Sequence, residues 1–183
     1  MLKIARDTGS IALAKYSKFR HNAIKRCIFN AKNESDVRQF VLTYLGLDVL
    51  GNLEMHRTDW VHPELWLEFK YSIDMSDRAV RCGVISQMLH YLHYAPIKRQ
   101  DFELPDSFGI VDKNSIMFFD TEPYLKYILE PRYFDCVRSP SAPHPELERA
   151  LFADPLIVST QYSILNDYGL IFDEIQRRGI YPT

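Results

Sequence analysis

Cysteine is scarce in this 183-residue chain, and the three present do not pair up. Cys27, Cys82 and Cys136 are an odd number, widely spaced and without a CxxC pair, which argues against a disulfide framework and against a zinc site. They read as free thiols in a reducing cytoplasm. Glycine is also sparse, at seven residues. None stands in a GxGxxG or Walker A run, so no dinucleotide or nucleoside-triphosphate cradle is expected. A GxSxG nucleophile elbow is missing as well. Long apolar runs are absent too: Phe40 to Leu50 is broken by Thr43, Gly46 and Asp48 and falls short of the ~20 residues that span a bilayer. No membrane partner is expected.

With 46% hydrophobic and 25% charged residues, the chain has the composition of one globular domain. A chain of this length buries roughly two-thirds of its unfolded surface and needs no staple to hold a core. The net charge of −2 is unevenly spread. Residues 1–30 carry Lys3, Arg6, Lys15, Lys18, Arg20, Lys25 and Arg26 against Asp7 alone, on an otherwise acidic body. Such a segment can reach for phosphates or form a solvated helix face. It holds too little serine for a transit peptide, so it reads as part of the mature chain.

Periodicity supplies the elements. Val37, Phe40, Val41, Tyr44 and Leu45 predict a helix from Glu34 to about Gly46, capped by Asn33 or Ser35. Leu53 to Val61 and Glu64 to Ile73 alternate with period two around His62-Pro63 and predict a strand hairpin. In the second strand Leu65, Leu67, Phe69 and Tyr71 point one way and Glu64, Trp66, Glu68 and Lys70 the other, giving one greasy and one charged face. Ser76 is expected to cap a helix from Asp77 to Tyr94, which Pro96 stops. A second hairpin, Phe108 to Val111 and Ser115 to Phe119, turns at Asp112-Lys113-Asn114. Glu122 to Leu129, Glu146 to Ala153 and Leu156 to Arg178 read as helices, with a Pro-rich linker at Arg138 to Pro145. The expected organisation is a basic segment over 1–33 packing on a core over 34–137, then a connector and C-terminal helices over 138–183.

Chemistry gathers on the first hairpin. Glu68 and Lys70 share a strand face about 7 Å apart at Cα, and the hairpin can bring Asp59 alongside. Two carboxylates suit Mg²⁺, which takes one or two protein carboxylates and completes its shell with water and phosphate oxygens. Such an ion polarises a phosphate, and a lysine beside it steadies developing charge. Of the nine lysines only Lys70 has an acid two places before it, and of the five glutamines only Gln87 has a tyrosine, Tyr91, four places after it.

Asp-x8-Glu-x-Lys on a strand hairpin, followed by Gln-x3-Tyr on the next helix, resembles the PD-(D/E)XK nuclease superfamily, in its RecB-like branch. That resemblance implies an α/β fold, a restriction-endonuclease-like mixed sheet flanked by helices with an αβββαβ core over Glu34 to Phe119, followed by a C-terminal helical extension. It implies a Mg²⁺-dependent DNA endonuclease, with Mn²⁺ as a substitute ion. Asp59 and Glu68 would bind the metal, Lys70 would assist the attacking water, and Gln87 and Tyr91 would support the site or contact DNA. No proline precedes Asp59, so Glu34 and Glu54 stand as acids able to share its job. The later segments look like the nuclease portion of a restriction-modification protein, with a fused or partner methyltransferase. The alternatives are a non-catalytic nucleic-acid-binding module on the same fold and an end-dependent DNA or RNA exonuclease.

Plainer readings exist for the same residues. Glu68 and Lys70 can be an exposed ion pair worth under ~1 kcal/mol, and Gln87 and Tyr91 an ordinary i, i+4 pair. His90 and His93 have no third ligand at a convincing spacing and read as ordinary histidines. His56 and His62 flank the site in sequence, and Trp60 and Trp66 read as packing residues.

Overall fold

The computed structural model describes residues 18–53, 59–98, 103–155 and 159–182. It is a mixed α/β structure built on a six-stranded sheet in the order β1-β2-β3-β4-β5-β6. The elements are α1 (residues 18–29), α2 (Glu34–Leu45), β1 (Asn52–Leu53), β2 (Trp60–Val61), β3 (Leu65–Phe69), α3 (Arg78–Lys98), β4 (Ser107–Val111), β5 (Ser115–Asp120), α4 (Leu125–Ile128), α5 (Pro145–Ala153), β6 (Gln161–Ser163) and α6 (Tyr168–Arg177). Only β3 and β4 run parallel, because α3 carries the chain back between them; every other neighbouring pair is antiparallel.

Alternation along β3 divides the hydrophobic residues between two cores. Leu65, Leu67 and Phe69 join Val37, Val41 and Leu45 of α2 and Ile171 and Ile175 of α6 on one face. Trp66 joins Ile85, Met88, Leu89 and Leu92 of α3 and Leu147 and Leu151 of α5 on the other. The expected greasy face is present, but the expected charged face is no solvated surface: all five residues of β3 are buried. A strand's period fixes which side each residue faces, whereas the layer above that side is a tertiary matter. Both tryptophans are core residues, in keeping with their reading as packing residues, and Trp60 donates its indole N–H to the Leu47 carbonyl at 3.2 Å.

Local signals explain most boundaries. Asn33 caps α2 by accepting the Asp36 N–H at 2.9 Å, and Gly46 closes it with a left-handed φ of 68° that favours a residue without Cβ. The β4–β5 turn is built on Asp112, whose Oδ1 accepts the Asn114 and Ser115 N–H groups at 2.8 and 2.7 Å.

Four expectations need correction. The run from Leu53 to Val61 is not one strand: β1 and β2 occupy its two ends, and residues 54–58 between them lie outside the described chain. The cap of α3 is Asp77, not Ser76, since Asp77 Oδ1 accepts the Ala79 N–H at 2.8 Å and Ser76 bonds back to Asp74. Pro96 lies inside α3, which continues to Lys98; the lost N–H falls in the last turn, where little ladder remains to break. Of the helix expected from Leu156 to Arg178, residues 156–158 lie outside the described residues, and the rest holds strand β6 and then α6 in place of one continuous helix. The segment expected as a C-terminal helical extension therefore adds a strand to the sheet and helices to both cores. Cys82 is buried, Cys27 and Cys136 are exposed, and all three are free. Among the described residues, no helix is long and apolar enough to cross a membrane.

Candidate active site

Asp59, Glu68, Lys70, Gln87 and Tyr91 converge where β2, β3 and α3 meet. Asp59 immediately precedes β2, and its Oδ2 accepts the backbone N–H of Phe69 at 2.8 Å. That bond ties the carboxylate to the strand carrying Glu68. Lys70 follows the end of β3, where its own N–H still donates to the Val111 carbonyl at 2.7 Å. Its ammonium donates to Glu68 Oε1 at 2.9 Å.

Glu68 points into the α3 side of the sheet, where the helix supplies Gln87. The Gln87 amide Nε2 donates to Glu68 Oε1 at 2.6 Å and to the Tyr91 hydroxyl at 2.9 Å. Spacing i, i+4 on α3 places Gln87 and Tyr91 one above the other. Together they fix the orientation of the acid beneath. Glu68 Oε1 thus takes two donors, whereas its other oxygen, Oε2, is buried and has no hydrogen-bond partner. The Glu68 side chain is only 4% exposed, against 19% for Lys70.

Burial dominates the electrostatics. Desolvation pushes the Glu68 carboxyl up to about 7; Lys70 opposes the shift, and the charges of Asp59 and Glu34 add to it. Glu34, at the start of α2, is also raised by desolvation, pulled down by Lys70 and Arg38 and pushed up by Asp59. Burial, with Glu68 next, raises Tyr91 to about 12, so it remains a neutral hydroxyl. Glu34 therefore belongs to the same electrostatic cluster, whereas Glu54 lies outside the described residues.

One participant is missed by motif reading. Arg38 donates to Asp59 Oδ1 at 3.2 Å, so both Asp59 oxygens are engaged by protein donors. The available signal was its place one turn after Glu34 on α2, which puts both side chains on one helix face.

Among the described residues, no group of three or more His, Cys, Asp and Glu side chains forms a metal cage. Mg²⁺ does not require one, because one or two carboxylates suffice when water and phosphate complete its shell. The unpartnered Oε2 of Glu68 and the adjacent Asp59 fit that role, with Arg38 competing for Asp59.

The flanking histidines are engaged elsewhere. His62 Nδ1 accepts the Glu64 N–H at 3.2 Å and its ring stacks on Trp60. His90 Nδ1 meets His144 Nε2 at 2.9 Å, and His93 Nδ1 bonds the Ile128 carbonyl at 2.6 Å. His56 lies outside the described residues. The chain matches no family model, no curated protein and no solved structure.

Proposed function

We propose that this chain is a Mg²⁺-dependent phosphodiesterase of the PD-(D/E)XK kind, acting on DNA as an endonuclease. The observation that carries this reading is the convergence of Asp59, Glu68, Lys70 and Gln87 on one half-buried site with a carboxylate oxygen left unpartnered. Unpaired buried acceptors cost stability, and a cation at Oε2 removes that cost. The element order also supports it: α2, the β1–β2–β3 meander, α3 and the parallel strand β4 follow the αβββαβ succession that the motif resemblance implies.

The chemistry a divalent ion supplies at such a site is polarisation of the phosphate and acidification of a water. The residues of the chain do the rest. Glu68 and Asp59 offer the carboxylate oxygens, and the Phe69 N–H holds Asp59 in register with β3. Gln87 keeps Glu68 from turning away. The Lys70 ammonium lies beside Glu68, where it can orient the attacking water and stabilise the developing negative charge on the phosphate. A link to restriction-modification, with a methyltransferase as partner, extends the same proposal.

Supercoiled plasmid incubated with Mg²⁺ tests it. Wild type should nick and linearise the plasmid, whereas Lys70→Ala and Glu68→Gln should each lose activity by at least about a hundredfold, within the usual range for groups acting at the transition state. Equal cleavage by wild type and both variants removes the site from the chemistry. The engagement of both Asp59 oxygens by protein donors favours a second reading, a nucleic-acid-binding module without cleavage. Binding that survives Asp59→Ala with no cleavage by wild type would select it.

A further inference from the structure

Helix α1 has two unlike halves. Ile28 is fully buried, and His21, Ile24 and Lys25 are half-buried, so one side seats on the core. At 100° per residue, Phe19, Asn22, Ala23, Arg26 and Phe29 fall in the opposite half, and all are exposed. Phe19 and Phe29 are 73% and 71% exposed. Lys18, Arg20, Lys25, Arg26 and Lys32 stand between residues 18 and 32 with no acid among them. Arg26 and Lys32 also line a groove of ≈ 390 Å³ between α1 and α2, which holds one acid, Asp36. The Asp36 carboxylate is already bonded to the Lys32 N–H at 2.9 Å.

We infer that the outward half of α1 is a docking platform for single-stranded nucleic acid. Phe19 and Phe29 stack on bases, while Arg26 and the neighbouring Lys32 take the phosphates. Aromatic rings between cations are the means by which proteins hold unpaired strands, since every base offers a π-face only when it is out of a duplex. The two rings stand about 15 Å apart along the helix, the length of four to five stacked nucleotides at ~3.4 Å each. The same surface suits other occupants poorly. An interfacial membrane helix needs a continuous apolar face, and here Asn22 and Arg26 interrupt it. A second copy seated symmetrically on this face would oppose cation to cation. The choice of polymer rests on the phosphodiesterase reading.

The full chain in EDTA, titrated with a labelled oligothymidylate and with a duplex of equal length, tests the platform by fluorescence anisotropy. Arg26→Glu with Lys32→Glu should weaken oligothymidylate binding at least about tenfold and reduce the slope of log K against log salt by about 1.4, at ~0.7 per phosphate contact. Phe19→Ala with Phe29→Ala should weaken oligothymidylate about tenfold or more, leaving the salt slope and the duplex affinity unchanged. Unchanged melting temperatures show that these exposed positions do not support the fold. Wild-type affinity in both double variants overturns the inference, as does an equal loss on single strand and duplex when the rings are removed. Binding to anionic phospholipid vesicles in place of the oligonucleotide, or a dimer in sedimentation that the Phe variant disperses, overturns it as well. EDTA separates this outcome from cleavage: an inactive chain that binds through α1 sinks only the enzyme, and an active chain indifferent to α1 sinks only the platform.

Discussion

Burying Glu68 should make stability depend on pH in the direction opposite to that of most carboxylates. Its pKa rises from 4.5 to about 7, first because desolvation penalises the charged form. Between those values the folded chain holds a proton that the unfolded chain has lost. The residue's contribution to stability is therefore highest below pH 4.5, declines as pH rises to about 7 and is constant beyond. At ~1.4 kcal/mol per unit, that interval amounts to about 3 kcal/mol. Glu68→Gln keeps the acceptor for Lys70 and Gln87 and removes the ionisable group. Urea unfolding of both proteins from pH 4 to 8 should show the variant gaining on wild type by about 3 kcal/mol across the interval and then levelling. Any fixed offset of the amide cancels, because only the change with pH is compared. A difference that stays flat with pH refutes the burial argument. Calcium adds a second arm at pH 8, where ion at a hundred times its Kd should restore about 2.7 kcal/mol to wild type and nothing to Glu68→Gln.

The remaining predictions probe the supports of the site and of the sheet. Arg38→Ala should strengthen calcium binding in isothermal titration, because the guanidinium at 3.2 Å from Asp59 Oδ1 no longer competes with the ion. Gln87→Ala should weaken the same binding about tenfold to a hundredfold, the usual cost of losing the group that orients a metal ligand. Gly109→Ala in β4 would place its Cβ 2.7 Å from Leu67 Cδ2 and 3.0 Å from the Met117 carbonyl, and should lower stability by roughly 1–3 kcal/mol in urea unfolding. Asp112→Ala should cost about 3 kcal/mol by the same assay, since this fully buried carboxylate accepts the N–H groups of Ile73, Asn114 and Ser115.

Much of the frame is visible in residue order, for reasons that differ by element. The helix α2 repeats its apolar residues every three to four positions between a side-chain cap and a left-handed glycine, so period and punctuation agree. In the β4–β5 hairpin, Asp112 supplies the turn and the register follows from it. Strand β6 is hidden because three residues are too few to show a period, and their pairing partner β5 lies far back in the chain. Pro96 misleads because the rule that proline ends a helix governs interior turns more than final ones. The site residues are legible as a motif, since Glu68-x-Lys70 and Gln87-x3-Tyr91 each occur once. Their burial is not: whether Glu68 faces water or α3 depends on Ile85, Met88 and Leu89 packing the helix against Trp66, and period two carries no word of that. Arg38 is hidden for a similar reason, because its contact with Asp59 spans 21 positions of chain.

That burial excludes the plain reading of Glu68 and Lys70 as an exposed ion pair and supports the proposed chemical one. An exposed ion pair on a half-solvated sheet costs nothing and does nothing, and it titrates like free carboxylate and amine. Glu68 instead has one oxygen bonded by two donors and the other buried without any, beneath α3. A hydrophobic residue of similar volume in that place would remove the desolvation cost and leave the sheet intact. The fold keeps the acid and adds Gln87 and Tyr91 to aim it, an arrangement that packing alone does not ask for. Strongly shifted groups with dedicated orienting partners cluster at sites where charge is put to use, and the proposed divalent ion would bind at Glu68 Oε2, the buried oxygen that no protein donor takes.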